Sequence, residues 1–119
     1  MLNLIDCHDT ERFITACTNS GWGWNEERRP LDRMKLAAFF QLTYPGMPMI
    51  YYGDEVGMDG ENDPYCRKPM VWDNNMQNTD MLDHYKTMIS LRNELPELTR
   101  GSYETWVEEE LSTVYGYIR

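Results

Sequence analysis

Two short apolar runs, separated by one helical pattern, constrain the fold of this chain more than any other feature. Leu2 to Ile5 and Met49 to Tyr52 are mostly apolar or aromatic and precede polar residues, as expected of strands buried on both faces. Between them, Pro30 suits the first position of a helix, and a Pro-Gly pair predicts that this helix stops by Tyr44. Strand, helix and strand in this order predict a parallel pair with a right-handed crossover.

The middle of the chain is predicted to contain a long loop and a second helix. Residues 53–77 are rich in Gly, Asp, Asn and Pro, which is typical of a loop, and ordered loops of this length are usually functional. Asn78 or Thr79 is suited to cap the helix that follows, and Pro96 predicts where that helix stops.

The C-terminal residues predict a β-hairpin. Tyr103 to Val107 and Val114 to Ile118 have the composition of strands, and residues 109–112 lie between them as a turn. The whole order of strand, helix, strand, helix and hairpin predicts an α/β fold with a parallel sheet, to which the hairpin is added.

The residues after the first strand are the strongest candidates for chemistry. Five polar side chains occur there: Asp6, His8, Asp9, Glu11 and Arg12. They occupy the C-terminal end of a parallel strand, where α/β proteins and barrels place their functional groups. The alternative is that Asp9 or Thr10 caps a helix running through Ile14. The pattern alone does not separate a functional cluster from a helix cap.

Composition excludes several classes of function. The chain has 119 residues and a net charge of −9, so nucleic acid and anionic membranes would repel it. No stretch is long enough to span a bilayer, and no signal peptide is visible. Cys7, Cys17 and Cys66 are odd in number and match no zinc spacing. We therefore predict no metal site and a reducing, cytoplasmic setting.

Three motifs, in order along the chain, resemble those of one enzyme family. They are His-Asp-Thr-Glu-Arg at 8–12, Pro-Gly-Met-Pro-Met-Ile-Tyr-Tyr-Gly-Asp-Glu at 45–55 and Asn-Asp-Pro-Tyr-Cys-Arg-Lys-Pro-Met-Val-Trp at 62–72. The ordered set closely resembles the alpha-amylase family of glycoside hydrolases, and within it the group of neopullulanases, cyclomaltodextrinases and maltogenic amylases. The resemblance extends over nearly the whole chain.

The resemblance implies part of a TIM (β/α)8 barrel. A complete barrel needs about 250 residues, more than the 119 present. Residues 1–101 are expected to form the last two β/α units, and residues 102–119 the first β-hairpin of an antiparallel C-terminal domain. The family's nucleophilic Asp and acid/base Glu belong to earlier strands. We therefore expect the chain alone to be inactive, and its unpaired strand edges to make it self-associate.

The resemblance also implies roles for four residues. Asp9 matches the third catalytic carboxylate of the family, and His8 matches the substrate-contacting histidine beside it. Such a carboxylate binds sugar hydroxyls and stabilises positive charge in the oxocarbenium-like transition state. Asp63 and Arg67 match residues that contact a sugar on the non-reducing-end side of the cut, with a loop-stapling ion pair as the alternative. Cys7 departs from the Asn or Ser that the family often carries.

Two further groups of residues allow more than one interpretation. Asp54 and Glu55 follow the second strand, but adjacent side chains at a strand end point apart, which favours loop anchoring over a catalytic pair. Trp22, Trp24 and Trp72 are candidate platforms for sugar rings or tryptophans packed on their own barrel.

The function implied by the resemblance is that of a retaining hydrolase or transglycosidase. Its substrate is expected to be an α-glucan or maltooligosaccharide, with α-1,4 or α-1,6 bonds cut in maltodextrins, cyclodextrins or pullulan. No cofactor is expected, and calcium dependence of the whole protein stays open. Two alternatives remain, a stand-alone carbohydrate-binding or protein-interaction module and a truncated fragment without function.

Overall fold

The computed structural model describes residues 1–19, 29–108 and 114–119. Its strands are β1 (Leu2–Asn3), β2 (Met47–Pro48), β3 (Glu104–Glu108) and β4 (Tyr115–Ile118), and its helices are α1 (Phe13–Asn19), α2 (Arg29–Thr43), α3 (Thr79–Glu94) and α4 (Pro96–Arg100). Most of the predicted loop from Ser20 to Arg29, with Trp22 and Trp24, lies outside the described residues, as does the predicted turn at 109–112.

The first two strands pair in parallel, as predicted, but both are shorter than predicted. The limits Leu2 to Ile5 and Met49 to Tyr52 are wrong, because β1 ends at Asn3 and β2 lies just before Met49. An apolar run indicates that a segment of the chain is buried. A strand also needs a neighbouring strand that completes its hydrogen-bond ladder. The sequence therefore predicted the location and direction of the pair but not its extent.

Helix α2 connects to the parallel pair through one buried amide. The Gln41 side chain donates to Asn3 O at 3.2 Å and to Met49 O at 2.8 Å. Met49 N also donates to Asn3 O at 2.8 Å, which extends the ladder by one bond. Gln41 thus holds the crossover helix against both strands that it joins.

The core lies between α2 and α3. Asn78 caps α3 by accepting a hydrogen bond from Met81 N at 2.9 Å, which confirms one of the two predicted caps. Helix α3 ends at Glu94, before Pro96, which then begins α4. The buried side chains of the core recur at helical spacing on the two helices: Met34, Ala38, Leu42, Met81, Tyr85 and Met88.

Residues 53–77 form the predicted loop, with two short 3-10 turns, Asp54–Val56 and Tyr65–Arg67. Gly53 and Gly57 flank the first turn with φ of 91° and 74°, left-handed values that favour glycine. Because this loop follows β2, it lies at the same sheet edge as the segment after β1, and the two segments can meet there.

The hairpin is present at the predicted place. β3 and β4 are antiparallel, with Glu104 opposite Ile118 and an irregularity between Thr105 and Val107. Tyr117 packs against Tyr44 with 5.9 Å between ring centroids, which joins the hairpin to the end of α2. The proposed division of the chain into residues 1–101 and 102–119 stays a prediction.

One face of the described chain is apolar and exposed. Leu2, Leu4 and Phe40 are each more than 40 % exposed, and a cavity of about 430 Å³ opens beside them. Among the described helices, none combines the length and the apolar character needed to cross a membrane. The exposed side chains surround the parallel strands, where a complete sheet would be covered.

Candidate active site

A buried hydrogen bond between Arg12 and Asp54 joins the segments that follow the two parallel strands. Arg12 Nη1 lies 3.0 Å from Asp54 Oδ1, and the two side chains are 0 % and 3 % exposed. The guanidinium also lies over the ring of Tyr51, 3.9 Å from its centroid. The expected loop-anchoring role of Asp54 is thereby confirmed.

Arg12 also holds the third motif. Its Nε donates to Cys66 O at 3.0 Å, and its backbone N donates to Gly60 O at 2.8 Å. One side chain therefore links the motif at 8–12, the motif at 45–55 and the motif at 62–72. Arg12 belongs to the predicted polar cluster, but its linking role is not predictable, because no local pattern specifies partners 42 and 54 residues away.

The loop at 60–67 lies directly against the segment that carries His8. Cys66 Sγ donates to His8 O at 3.2 Å, and Gly60 N donates to Thr15 Oγ1 at 2.9 Å. A side chain at Gly60 would put its Cβ 2.7 Å from Tyr65 O, closer than packing allows. The glycine therefore permits the two ends of this loop to lie close together.

Two carboxylates share the buried environment of Arg12. Burial, reinforced by the neighbouring Asp6 carboxylate, raises the pKa of Asp54 to about 8, and the attraction of Arg12 does not offset these effects. Asp6 also accepts a hydrogen bond from Phe13 N at 2.7 Å through Oδ2. The pair of carboxylates thus serves to build the site and not to face the solvent.

The contact from Phe13 N to Asp6 also decides the question of the helix cap. Helix α1 begins at Phe13, so Asp9 and Thr10 lie too early in the chain to cap it. Thr10 Oγ1 instead accepts from Cys7 N at 3.2 Å. The interpretation of Asp9 or Thr10 as a simple cap is therefore wrong.

His8 and Asp9 occupy the tip of a tight turn and are accessible to a ligand. Thr10 N donates to Cys7 O at 3.4 Å, which closes the turn around them. His8 Nε2 lies 3.3 Å from Asp9 Oδ2, and the two side chains are 63 % and 70 % exposed. The catalytic role of Asp9 and the substrate-binding role of His8 stay predictions.

Asp63 and Arg67 form an ion pair at the second 3-10 turn, and both remain half-exposed, at 53 % and 45 %. This pair is the loop-stapling contact that the sequence allowed. A carboxylate and a guanidinium that face solvent together also retain hydrogen-bonding capacity for neighbouring hydroxyl groups. The sugar-contacting role of these two residues stays a prediction.

One group of side chains at the site combines donors that bind metal ions. Cys7 Sγ, a ring nitrogen of His8 and a carboxylate oxygen of Asp9 lie within 4.8 Å of one another. The absence of a metal site was predicted from cysteine spacing, which does not test for donors on consecutive residues.

Comparison with known proteins places most of the chain in one family. Residues 1–81 match the alpha-amylase family, described as alpha amylase, catalytic domain. The chain is 45 % identical over 117 residues to Neopullulanase 2 from Thermoactinomyces vulgaris, covering 98 % of this chain and 18 % of that protein. It is also 45 % identical over 106 residues to an intracellular maltogenic amylase from Bacillus subtilis, covering 89 % of this chain and 16 % of that protein.

A solved structure is similar to this chain over its whole length. A cyclomaltodextrinase structure superposes with a TM-score of 0.84 at 41 % identity, covering 100 % of this chain and 19 % of that one. The chain thus spans less than a fifth of the length of each of these three proteins. The similarity extends to the fold of the catalytic domain.

Proposed function

Because this chain belongs to the alpha-amylase family, we propose that it forms part of a retaining hydrolase or transglycosidase. The proposed substrates are α-glucans such as maltodextrins, cyclodextrins or pullulan. The observation that carries the proposal is the convergence of three motifs on Arg12, which places His8 beside the loop of Asp63 and Arg67. This arrangement presents two exposed groups of sugar-binding type at one sheet edge.

We assign the chemistry at this edge to Asp9. Its exposed carboxylate accepts hydrogen bonds from sugar hydroxyls and stabilises the positive charge that develops in the transition state. His8, 3.3 Å away, contacts the same sugar. The nucleophile and the general acid are supplied by other segments of the barrel, as the family resemblance implies, so residues 1–119 expressed alone should not cleave glucans.

Asp63 and Arg67 are proposed to bind a sugar further from the cut. Their loop is held against His8 by the Cys66 thiol, so a single oligosaccharide can reach both groups. The Asp63–Arg67 ion pair orients the guanidinium, and sugar hydroxyls take the remaining donors. The ion pair that stabilises the loop and the proposed sugar contact are therefore compatible.

We further propose that residues 1–101 are the last two β/α units of a (β/α)8 barrel and that residues 102–119 begin an antiparallel domain. The apolar face around Leu2 and Phe40 supports this, because neighbouring barrel units would cover it. Buried polar atoms without a partner among the described residues include Arg12 Nη2 and Tyr85 OH, and a complete barrel supplies further groups.

The exposed face also has a consequence for the isolated chain. Residues 1–119 alone should self-associate, since exposed apolar surface and unpaired strand edges favour contact between copies. Light scattering across a dilution series tests this, and a stable monomer would argue against an interrupted barrel. A cytoplasmic location is also proposed, supported by the odd number of cysteines in the sequence.

The experiment that tests the proposed function uses the whole protein that contains this chain. It is incubated with β-cyclodextrin, pullulan and maltodextrin, and proton NMR records the anomer of the first product. We expect cleavage with release of the α-anomer, because a covalent intermediate retains configuration. Release of the β-anomer, or no cleavage of any α-glucan, would contradict the proposal. No contact among the described residues favours the alternative of a stand-alone carbohydrate-binding or protein-interaction module.

A further inference from the structure

We propose that Cys7, His8 and Asp9 form a binding site for Zn²⁺ or a chemically similar transition-metal ion. The three donor atoms lie within 4.8 Å of one another at the tip of the turn. A thiolate, an imidazole and a carboxylate are three of the ligand types that zinc prefers in proteins. Calcium and magnesium prefer sites made of oxygen atoms alone, so this donor set discriminates against them.

A tetrahedral ion requires donor atoms that lie closer together than the 4.8 Å within which these three are found. Ligand atoms about 2.0–2.3 Å from zinc are separated from one another by about 3.3–3.8 Å. His8 Nε2 and Asp9 Oδ2 already lie 3.3 Å apart. Because both side chains are exposed, they can rotate toward Cys7 Sγ without disturbing the core. The Cys7 thiol loses its proton to solvent when the metal binds.

Hydrogen bonds hold the backbone of the turn that carries the donors. Cys7 N donates to Thr10 Oγ1, and Cys7 Sγ lies 3.9 Å from the same oxygen. The backbone carbonyl of His8 is fixed by Cys66 Sγ at 3.2 Å. A preorganised backbone lowers the entropy cost of gathering three ligands on one ion. The fourth position of a tetrahedral ion faces solvent and takes water.

The site has a functional consequence that rests on the proposed function. Asp9 and His8 are the groups assigned to the substrate sugar, so a metal ion that takes both would exclude that sugar. We expect Zn²⁺ to inhibit the whole protein in competition with a maltooligosaccharide. Cys7 sets this sensitivity, because it adds the thiolate that a histidine and an aspartate alone lack.

The site itself is tested by metal binding, independently of turnover. Co²⁺ is titrated into the whole protein, and the sulfur-to-cobalt charge-transfer band is recorded for the wild type, Cys7→Ser and Cys17→Ser. We expect the band in the wild type and in Cys17→Ser and its loss in Cys7→Ser. His8→Gln should keep the sulfur band but bind the metal more weakly, by about tenfold or more. A band that persists in Cys7→Ser, or no binding by the wild type, would overturn the site.

Inhibition by Zn²⁺ is then measured relative to the uninhibited activity of each variant. We expect the half-inhibiting concentration to rise by about tenfold or more in Cys7→Ser and to stay unchanged in Cys17→Ser. If Co²⁺ binds through Cys7 while Zn²⁺ leaves turnover unaffected, the metal site stands and the assignment of Asp9 and His8 to the substrate fails. The two proposals can therefore fail separately.

Discussion

The thiol of Cys66 donates a hydrogen bond to the backbone carbonyl of His8 across 3.2 Å, although 58 residues separate them. The contact brings the segment of Asp9 and the loop of Arg67 to the same edge of the parallel strands. Cys66 is fully buried, and its own carbonyl receives the Arg12 guanidinium. The position of the proposed sugar-binding groups therefore depends on buried contacts that no sugar touches.

Replacing Arg12 should destabilise the protein strongly. Arg12→Met removes the donors to Asp54 Oδ1 and Cys66 O and leaves buried acceptors unsatisfied. We expect a loss of about 3 kcal/mol or more in the free energy of unfolding, measured by denaturant titration of the whole protein. The matched control is Lys68→Met, which breaks an exposed pair with Asp59 and should cost less than about 1 kcal/mol. Equal losses in the two variants would contradict the central role of Arg12.

Stability should fall as pH rises through the titration of Asp54. Burial raises the pKa of this carboxyl from 3.8 to about 8 in the folded chain. Between these values the folded state binds more protons than the unfolded state, so the free energy of unfolding decreases with increasing pH. Thermal melts from about pH 4 to about pH 8 test this, and Asp54→Asn should flatten the slope. A slope that is the same in Asp54→Asn and the wild type would refute the assignment.

Loss of Arg67 or Asp63 should affect long substrates more than short ones. Arg67→Ala and Asp63→Ala in the whole protein should weaken binding of a maltooligosaccharide by about ten- to hundredfold. Attack on a small activated glucoside should change little, because a remote contact matters only when the remote sugar is present. Steady-state kinetics on both substrates measure the difference. Lys68→Ala, in the same loop, is the control, and equal loss on both substrates would point to a purely structural staple.

The helices could be predicted from sequence because their signals are local and long. The core positions on α2 and α3 recur at helical spacing, and Asn78 and Pro96 lie where caps and stops occur. The short strands could not be delimited in the same way, because their extent depends on a neighbouring strand. Helix α1 is predicted only in the alternative of a helix through Ile14, which places its cap at the wrong residues.

The site could be predicted in part. His8, Asp9, Asp63 and Arg67 were identified by family resemblance, and the structure brings their segments together through Cys66 and His8. The buried network of Arg12 was not predicted, because a cation in a polar cluster does not reveal which distant carboxylate or carbonyl it will bind. Partner choice of this kind is decided by tertiary packing.

Replacement by alanine should destabilise the protein at Asp6 but leave its stability nearly unchanged at Asp9. Asp6 caps α1 through Phe13 N, so Asp6→Ala should lower the free energy of unfolding by about 0.5–2 kcal/mol. Asp9 is 70 % exposed, and Asp9→Ala should change it by less than about 0.5 kcal/mol. Denaturant titration of the two variants distinguishes the structural carboxylate from the proposed functional one. A larger loss of stability for Asp9→Ala would reverse the assignment.

The most direct test of the proposed catalytic role of Asp9 is the kcat of Asp9→Asn in the whole protein. Asparagine keeps the shape of the side chain and part of its hydrogen bonding but removes the charge that would stabilise the transition state. We predict that kcat falls by about a hundredfold or more while the melting temperature stays at the wild-type value. Turnover close to that of the wild type, with or without a lower melting temperature, would contradict the catalytic assignment of Asp9.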